Sequence, residues 1–168
     1  THVRIAPFVT GVSLAVHPRA EFDAPILLAD MMVLPTGASR LFADAAGPGL
    51  EDPSFQERFR EPLVRALSPR EPVPVPAWLL PLSGGAGGRL RAPRGEGESL
   101  AHVLVSYVEA YLTGLDAADA AKDAESNRRT ARSVRDVVRA KGRAAKHLSR
   151  AFGATYTDRY MRLLWLED

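Results

Sequence analysis

The chain has 168 residues, 46% hydrophobic and 25% charged, which fits one globular domain with a sizeable core and excludes disordered and fibrous classes. A formal net charge of +2 gives no global attraction to nucleic acid or to an anionic membrane, and no apolar run approaches the ~20 residues that span a bilayer. There is no cysteine, so disulfides, iron–sulfur ligation and thiol catalysis are excluded together, and redox chemistry would need electrons from outside the chain.

The opening THVRIAPF has no signal-peptide architecture, and the simplest reading is a soluble cytoplasmic protein. A start at Thr1, without Met and inside a strand pattern, suggests that residues precede it. Residues 2–6 (HVRIA) and 8–17 (FVTGVSLAVH) alternate in part and are rich in β-branched side chains, which predicts two strands. A third follows at 25–34, an almost wholly apolar run closed by Pro35-Thr36-Gly37, the pattern of a strand buried on both faces. The short connections favour an antiparallel meander, since parallel pairs need long crossovers.

Asp30 lies in the middle of that third strand. An isolated buried carboxylate is costly, so Asp30 has to be paired, hydrogen-bonded or protonated. Either a structural carboxyl or a proton donor would satisfy this, and the local residues leave both open.

After Ser39 the pattern becomes helical in SRLFADAA, and Asp52-Pro53 then gives a helix start leading into SFQERFREPLVRAL. Residues 68–77 (SPREPVPVPA) are Pro-rich and extended, delivering Trp78–Leu82 as an edge strand or a packed loop. The stretch SGGAGGRLRAPRGEGES is flexible by composition. It lacks the GxxxxGK[ST] order and does not lead from strand to helix, which argues against phosphate binding. From Ser99 onward Leu100, Val103, Tyr107, Val108, Tyr111 and Leu112 recur at helical spacing, and a polar connection spans 114–126.

The final segment carries a stripe of cations. Arg128, Arg132, Arg135, Arg139, Arg143, Lys146 and Arg150 step by three or four down one predicted helix, with Val134, Val138, Ala145, Leu148 and Phe152 as its apolar side. Gly153 fits a left-handed helix end, and ATYTDRYMRLLWL restarts as a short helix. Such a stripe is read as a solvated face, a nucleic-acid surface or a dock for an acidic protein. No interleaved aromatic residues or nucleic-acid signature support the second reading.

Several ordered motifs resemble the ferredoxin-dependent bilin reductases. They run from His17-Pro18 through Phe22, Pro25, Asp30, Pro35-Thr36-Gly37 and Ser39 to Phe42-Ala43-Asp44. Arg70-Glu71, with Pro-rich residues and Trp78, is similar to a third segment, and RAKGRAAKHLSRAFGATYTDRYMRLLWLED at 139–168 resembles the family's C-terminal end. The likeness covers most of the chain, is weak between Ser83 and Arg135, and lacks the family's N-terminal portion.

The resemblance implies that residues 1–168 form a single bilin-reductase-like domain of α/β class, a three-layer α/β/α sandwich with a central antiparallel sheet. A linear tetrapyrrole such as biliverdin would lie between the sheet and the C-terminal helices. It implies no bound cofactor, metal or flavin; single electrons from reduced ferredoxin, docked on the basic face; and a radical mechanism with protons from protein groups. Asp30 falls at the family's catalytic Asp, and Ser39, Arg70 and Arg143 fall where a hydroxyl and basic groups hold the bilin propionates. Ser13 and Val138 are placed among the substrate-binding residues. Ser13 stands where some members carry a proton-relaying His, and Gly142 where many carry a second acid. His2 aligns with a His of the first strand, and His17 and His102 receive no role. An enzyme with Asp30 as proton donor and a tetrapyrrole-binding protein that has lost part of the chemistry are both compatible with this set.

Overall fold

The structure, a computed structural model, describes residues 2–6, 9–50, 52–70, 72–142, 148–150 and 152–164. Five strands, β1 (His2–Ala6), β2 (Val9–Val16), β3 (Ile26–Val33), β4 (Ser39–Ala46) and β5 (Gly88–Ala92), pair antiparallel in the sequential order β1-β2-β3-β4-β5. Residues directly opposite one another share a face, so register assigns every side chain. Ser13, Asp30, Phe42 and Arg89 form one cross-strand row, and Leu14, Ala29, Ala43 and Gly88 form the adjacent row on the opposite face.

Each face has its own core. On the face of Leu27, Ala29, Leu41 and Leu90 pack Phe55, Phe59, Leu63 and Leu67, carried by a π-helical turn (Gln56–Arg60) running into α1 (Glu61–Leu67). Leu100, Val103, Tyr107 and Tyr111 of α2 (Gly97–Asp116) complete this layer. The Tyr107 hydroxyl donates to the Ala86 carbonyl at 2.9 Å and that of Tyr111 to the Pro25 carbonyl at 2.7 Å, which removes the penalty of burying two phenols. On the other face Ile26, Leu28 and Ala46 pack with Val134 of α3 (Ala124–Lys141), Leu148, and Met161 of α4 (Ala154–Leu164). The architecture is therefore the expected α/β/α sandwich around an antiparallel sheet. Among the described residues no helix is long and apolar enough to cross a membrane.

Local chemistry sets the helix starts. Asp52 accepts from the Ser54 amide at 2.9 Å ahead of the π-helical turn. Asp123 is the N-cap of α3, accepting from the Ser126 amide at 2.9 Å. Asn127 anchors α3 to the β2–β3 connection, donating to the carbonyls of Ala20 and Phe22 and to the Asp23 carboxylate. Gly153 has φ +85°, the left-handed residue expected ahead of the last helix.

The structure corrects several local expectations. SRLFADAA is the interior strand β4, between β3 and β5, not a helix: its Leu41, Ala43 and Ala45 face one core while Phe42 and Ala46 face the other, so burial on both sides hides the period-2 signal. Within the stretch expected to be flexible, GRLRA forms β5, with Leu90 buried and Arg89 and Arg91 exposed. Trp78–Leu82 is a turn followed by a short 3₁₀ segment (Leu80–Leu82), the packed-loop alternative. The basic stripe is not one continuous helix, because α3 stops at Lys141 and Gly142 is extended (φ −65°, ψ 139°). Phe152, expected on the apolar side, is exposed.

Gly114, inside α2, offers a test of the packing of α2 on the first helical layer. An added Cβ would lie 2.7 Å from the Arg58 carbonyl oxygen and 2.7 Å from the Phe59 ring. Gly→Ala inside a helix ordinarily stabilises by roughly 0.5–1 kcal/mol. Here the clash with backbone reverses the sign, and Gly114→Ala is expected to destabilise by about 1–3 kcal/mol in urea unfolding. A stabilised variant would mean that α2 does not approach the 58–59 backbone this closely.

Candidate active site

Asp30 occupies the middle of β3 on the face covered by α3 and α4, between Ser13 of β2 and Phe42 of β4. Burial pushes its carboxyl pKa up, and a hydrogen bond from the Ser13 hydroxyl opposes the rise. Ser13 is also hydrogen-bonded to the hydroxyl of Tyr160, which α4 lowers onto this face with its ring packed on the apolar cluster. Burial raises the Tyr160 pKa, the Ser13 bond opposes it, and the nearby charges of Asp30 and Tyr156 add to the rise. Asp30, Ser13 and Tyr160 are thus one contiguous polar cluster in an otherwise apolar layer. A carboxyl that retains its proton above the ordinary range, set in an apolar layer, is equipped for general-acid chemistry.

The other expected residues are distributed unevenly. Val138 lies on α3 and packs partly buried against the same cluster as Phe42 and Tyr160. Arg143 lies outside the described residues, directly after Gly142. Ser39 is on the opposite face, in register with Val33 and Ala92 and 1% exposed, its hydroxyl without a hydrogen-bond partner among the described residues. Arg70 is at the outer edge of β5, donating to the Arg91 carbonyl at 3.4 Å, to Glu96 at 2.6 Å and to Ser99 at 2.8 Å. The structure brings Asp30, Ser13 and Val138 to one layer, and does not bring Ser39 or Arg70 there. Among the described residues no group of three or more His, Asp or Glu side chains could hold a metal ion.

Two functional candidates were not assigned from sequence. Tyr160 belongs to the Arg-Tyr-Met run but reaches Asp30 only through the fold. Asp44 is 0% exposed, and burial pushes its pKa up to about 7 against the opposing hydrogen bonds from Ser83 and the Ala45 amide. Its Oδ1 accepts from both at 2.9 Å, while Oδ2 has no partner among the described residues. Gly87 is needed beside it, since a Cβ there would overlap Oδ1 and the Ala43 carbonyl.

The cationic stripe is largely paired. Arg128 meets Glu21 and Glu125 at 3.2 Å, Arg132 meets Glu125 at 3.1 Å, Arg135 meets Asp136 at 3.2 Å and Arg139 meets Asp158 at 3.2 Å. Exposed pairs of this kind contribute about 0–1 kcal/mol each, so their main effect is to reduce the positive field of the helix.

No family model matches the sequence, and no curated protein matches it. Among solved structures, the crystal structure of phytochromobilin synthase from tomato in complex with biliverdin matches with a TM-score of 0.72 at 15% identity, over 94% of this chain and 60% of that one. The likeness is one of fold, and the chain spans about three-fifths of the length of that relative.

Proposed function

We propose that a chain with the fold of a biliverdin-bound enzyme binds a linear tetrapyrrole against the Asp30 face of its sheet and reduces it with single electrons from ferredoxin. The observation that supports this most is the placement of a proton-retaining carboxyl, Asp30, in the centre of the sheet face that the C-terminal helices cover. Reduction of one double bond takes two electrons and two protons. The electrons come from the external donor, since the chain has no cysteine to ligate an iron–sulfur cluster or to form a redox disulfide. Asp30 gives a proton to the bilin radical, breaking its O–H bond as the new bond to substrate forms. Phe42 and Val138 supply apolar surface for the tetrapyrrole, and Arg143, beyond the end of α3, is the group suited to a propionate. Ser39 and Arg70, on the far face and at the sheet edge, have no contact with the ligand in this reading.

A second reading, a tetrapyrrole carrier without turnover, is favoured by Ser13 in place of the family's His and Gly142 in place of its second acid. The deciding experiment is an absorption titration of the protein with biliverdin, followed by reduced ferredoxin. A shifted bilin spectrum that then converts to a reduced product is expected, with a rate that falls as ionic strength rises to physiological levels, because the docking charges are exposed and screened beyond about 8–10 Å. Binding without conversion would leave the carrier, and no spectral change would remove both readings.

A further inference from the structure

Resting on the reading of Asp30 as proton donor, we propose that Tyr160 and Ser13 form the relay that returns a proton to Asp30 after each transfer. The inference starts from geometry. Ser13 and Asp30 are directly opposite on paired strands, Tyr160 descends from α4 onto the same face, and the Ser13 hydroxyl is hydrogen-bonded to both. A serine hydroxyl has one proton. The ionised Asp30 left behind by a transfer can only accept, so Ser13 must donate to it and must itself accept from Tyr160. The bonds therefore have one direction: Tyr160 O–H to Ser13, Ser13 O–H to Asp30.

Proton return is a concerted shift along this chain. The Ser13 proton moves to the Asp30 carboxylate, the Tyr160 proton moves to the Ser13 oxygen, and the half-buried Tyr160 takes a replacement from water. Each O–H bond broken is replaced by one formed, and no electrons are needed. The other ionisable groups that the strands β3 to β5 place on this face among the described residues are Arg40, Asp44, Arg89 and Arg91; Asp44 is fully buried and takes its own bonds from Ser83 and the Ala45 amide, the three arginines are exposed, and Ser13 is the side chain hydrogen-bonded to Asp30. Tyr156, one turn before Tyr160 with its ring 6.4 Å away, is exposed and outside the chain of hydrogen bonds. The arrangement also explains how a serine can stand at Ser13: a hydroxyl passes protons without titrating, provided that a second donor is joined to it.

Two measurements test the relay. In the ligand-free protein, Ser13→Ala removes both the donor to ionised Asp30 and the acceptor of the Tyr160 hydroxyl, so in NMR titrations the Asp30 carboxyl should move to higher pH and the Tyr160 ring should shift from its wild-type position. Unmoved titrations would overturn the network whatever the protein does to bilins. In single turnovers with biliverdin and chemically reduced ferredoxin, Tyr160→Phe and Ser13→Ala should bind biliverdin as the wild type does. They should form the one-electron-reduced species at the normal rate and lose it about tenfold or more slowly, within the range for general acid–base groups. The double variant should be no slower than the slower single variant, because both residues act in one chain. Tyr156→Phe should match the wild type. Decay at the wild-type rate in Tyr160→Phe, or independent multiplying effects of the two substitutions, would overturn the proposal. A wild type that binds biliverdin without reducing it removes the enzymatic reading instead, and the titrations still decide whether the three groups are joined.

Discussion

Asp30→Asn is expected to leave the protein folded and biliverdin bound while turnover falls by about 10²–10⁴-fold, the contribution of a positioned general acid. Asn has nearly the shape of Asp and its carbonyl can still accept from Ser13, so the β2–β3 pairing that surrounds it is preserved. What is lost is the proton. With reduced ferredoxin the variant should stop after the first electron, and the radical should be visible by electron paramagnetic resonance. The raised pKa of Asp30 is part of the same argument, since burial keeps the acid form available at a pH where an exposed carboxyl has already lost it. Equal turnover by wild type and variant would reduce Asp30 to a structural carboxyl held by Ser13.

A large effect on stability is expected at Asp44. Its pKa is about 7 in the fold against 3.8 for the ordinary side chain, so the folded state holds a proton that the unfolded chain releases. The stabilisation linked to that proton is fully present below about pH 4 and is lost as pH rises through about 7. At ~1.4 kcal/mol per pH unit, the loss from this one group is about 4 kcal/mol. Asp30, also raised, contributes with the same sign. Asp44→Asn resembles the protonated acid: its carbonyl can take the bonds from Ser83 and the Ala45 amide that Oδ1 now accepts. Urea unfolding between pH 4 and pH 8 should show wild-type stability falling, with a shallower slope in Asp44→Asn. A wild-type profile flat across this window would show that Asp44 is ionised at no cost, through a partner for Oδ2.

The candidate site was legible in the sequence only in part. Asp30 announced itself because a charge in an apolar run conflicts with its surroundings, and conflict between local chemistry and burial is visible without a structure. Val138 followed from helical periodicity. Tyr160 did not, because 130 positions separate it from Asp30 and nothing in the local pattern of α4 refers to β3. Asp44 was passed over for a similar reason: in a segment read as a helix, an Asp needs no explanation, whereas in a strand buried on both faces it does. Ser39 shows the converse limit, since its position in the motif order suggested a place near Asp30, while strand register turned its hydroxyl into the other core.

By itself the sequence determined the first three strands, the α2 core face, the Gly153 helix end and the two-sided burial of the first half of β3, whereas the helix expected to start at Asp52-Pro53 begins at Gln56, with Phe55 as its N-cap. Each of these is written in local terms, as periodicity, capping residues or turn chemistry, which act over one or two turns of chain. Only the tertiary structure decided that SRLFADAA and GRLRA are strands, because β4 and β5 exist through hydrogen bonds to neighbours on either side and their own composition is ambiguous or Gly-rich. It also decided which face each polar residue shares. A shift of one residue reverses a strand's faces, so the meeting of Asp30, Ser13 and Tyr160 depends on register and on the landing of α4, which are properties of the packed chain and not of any segment within it.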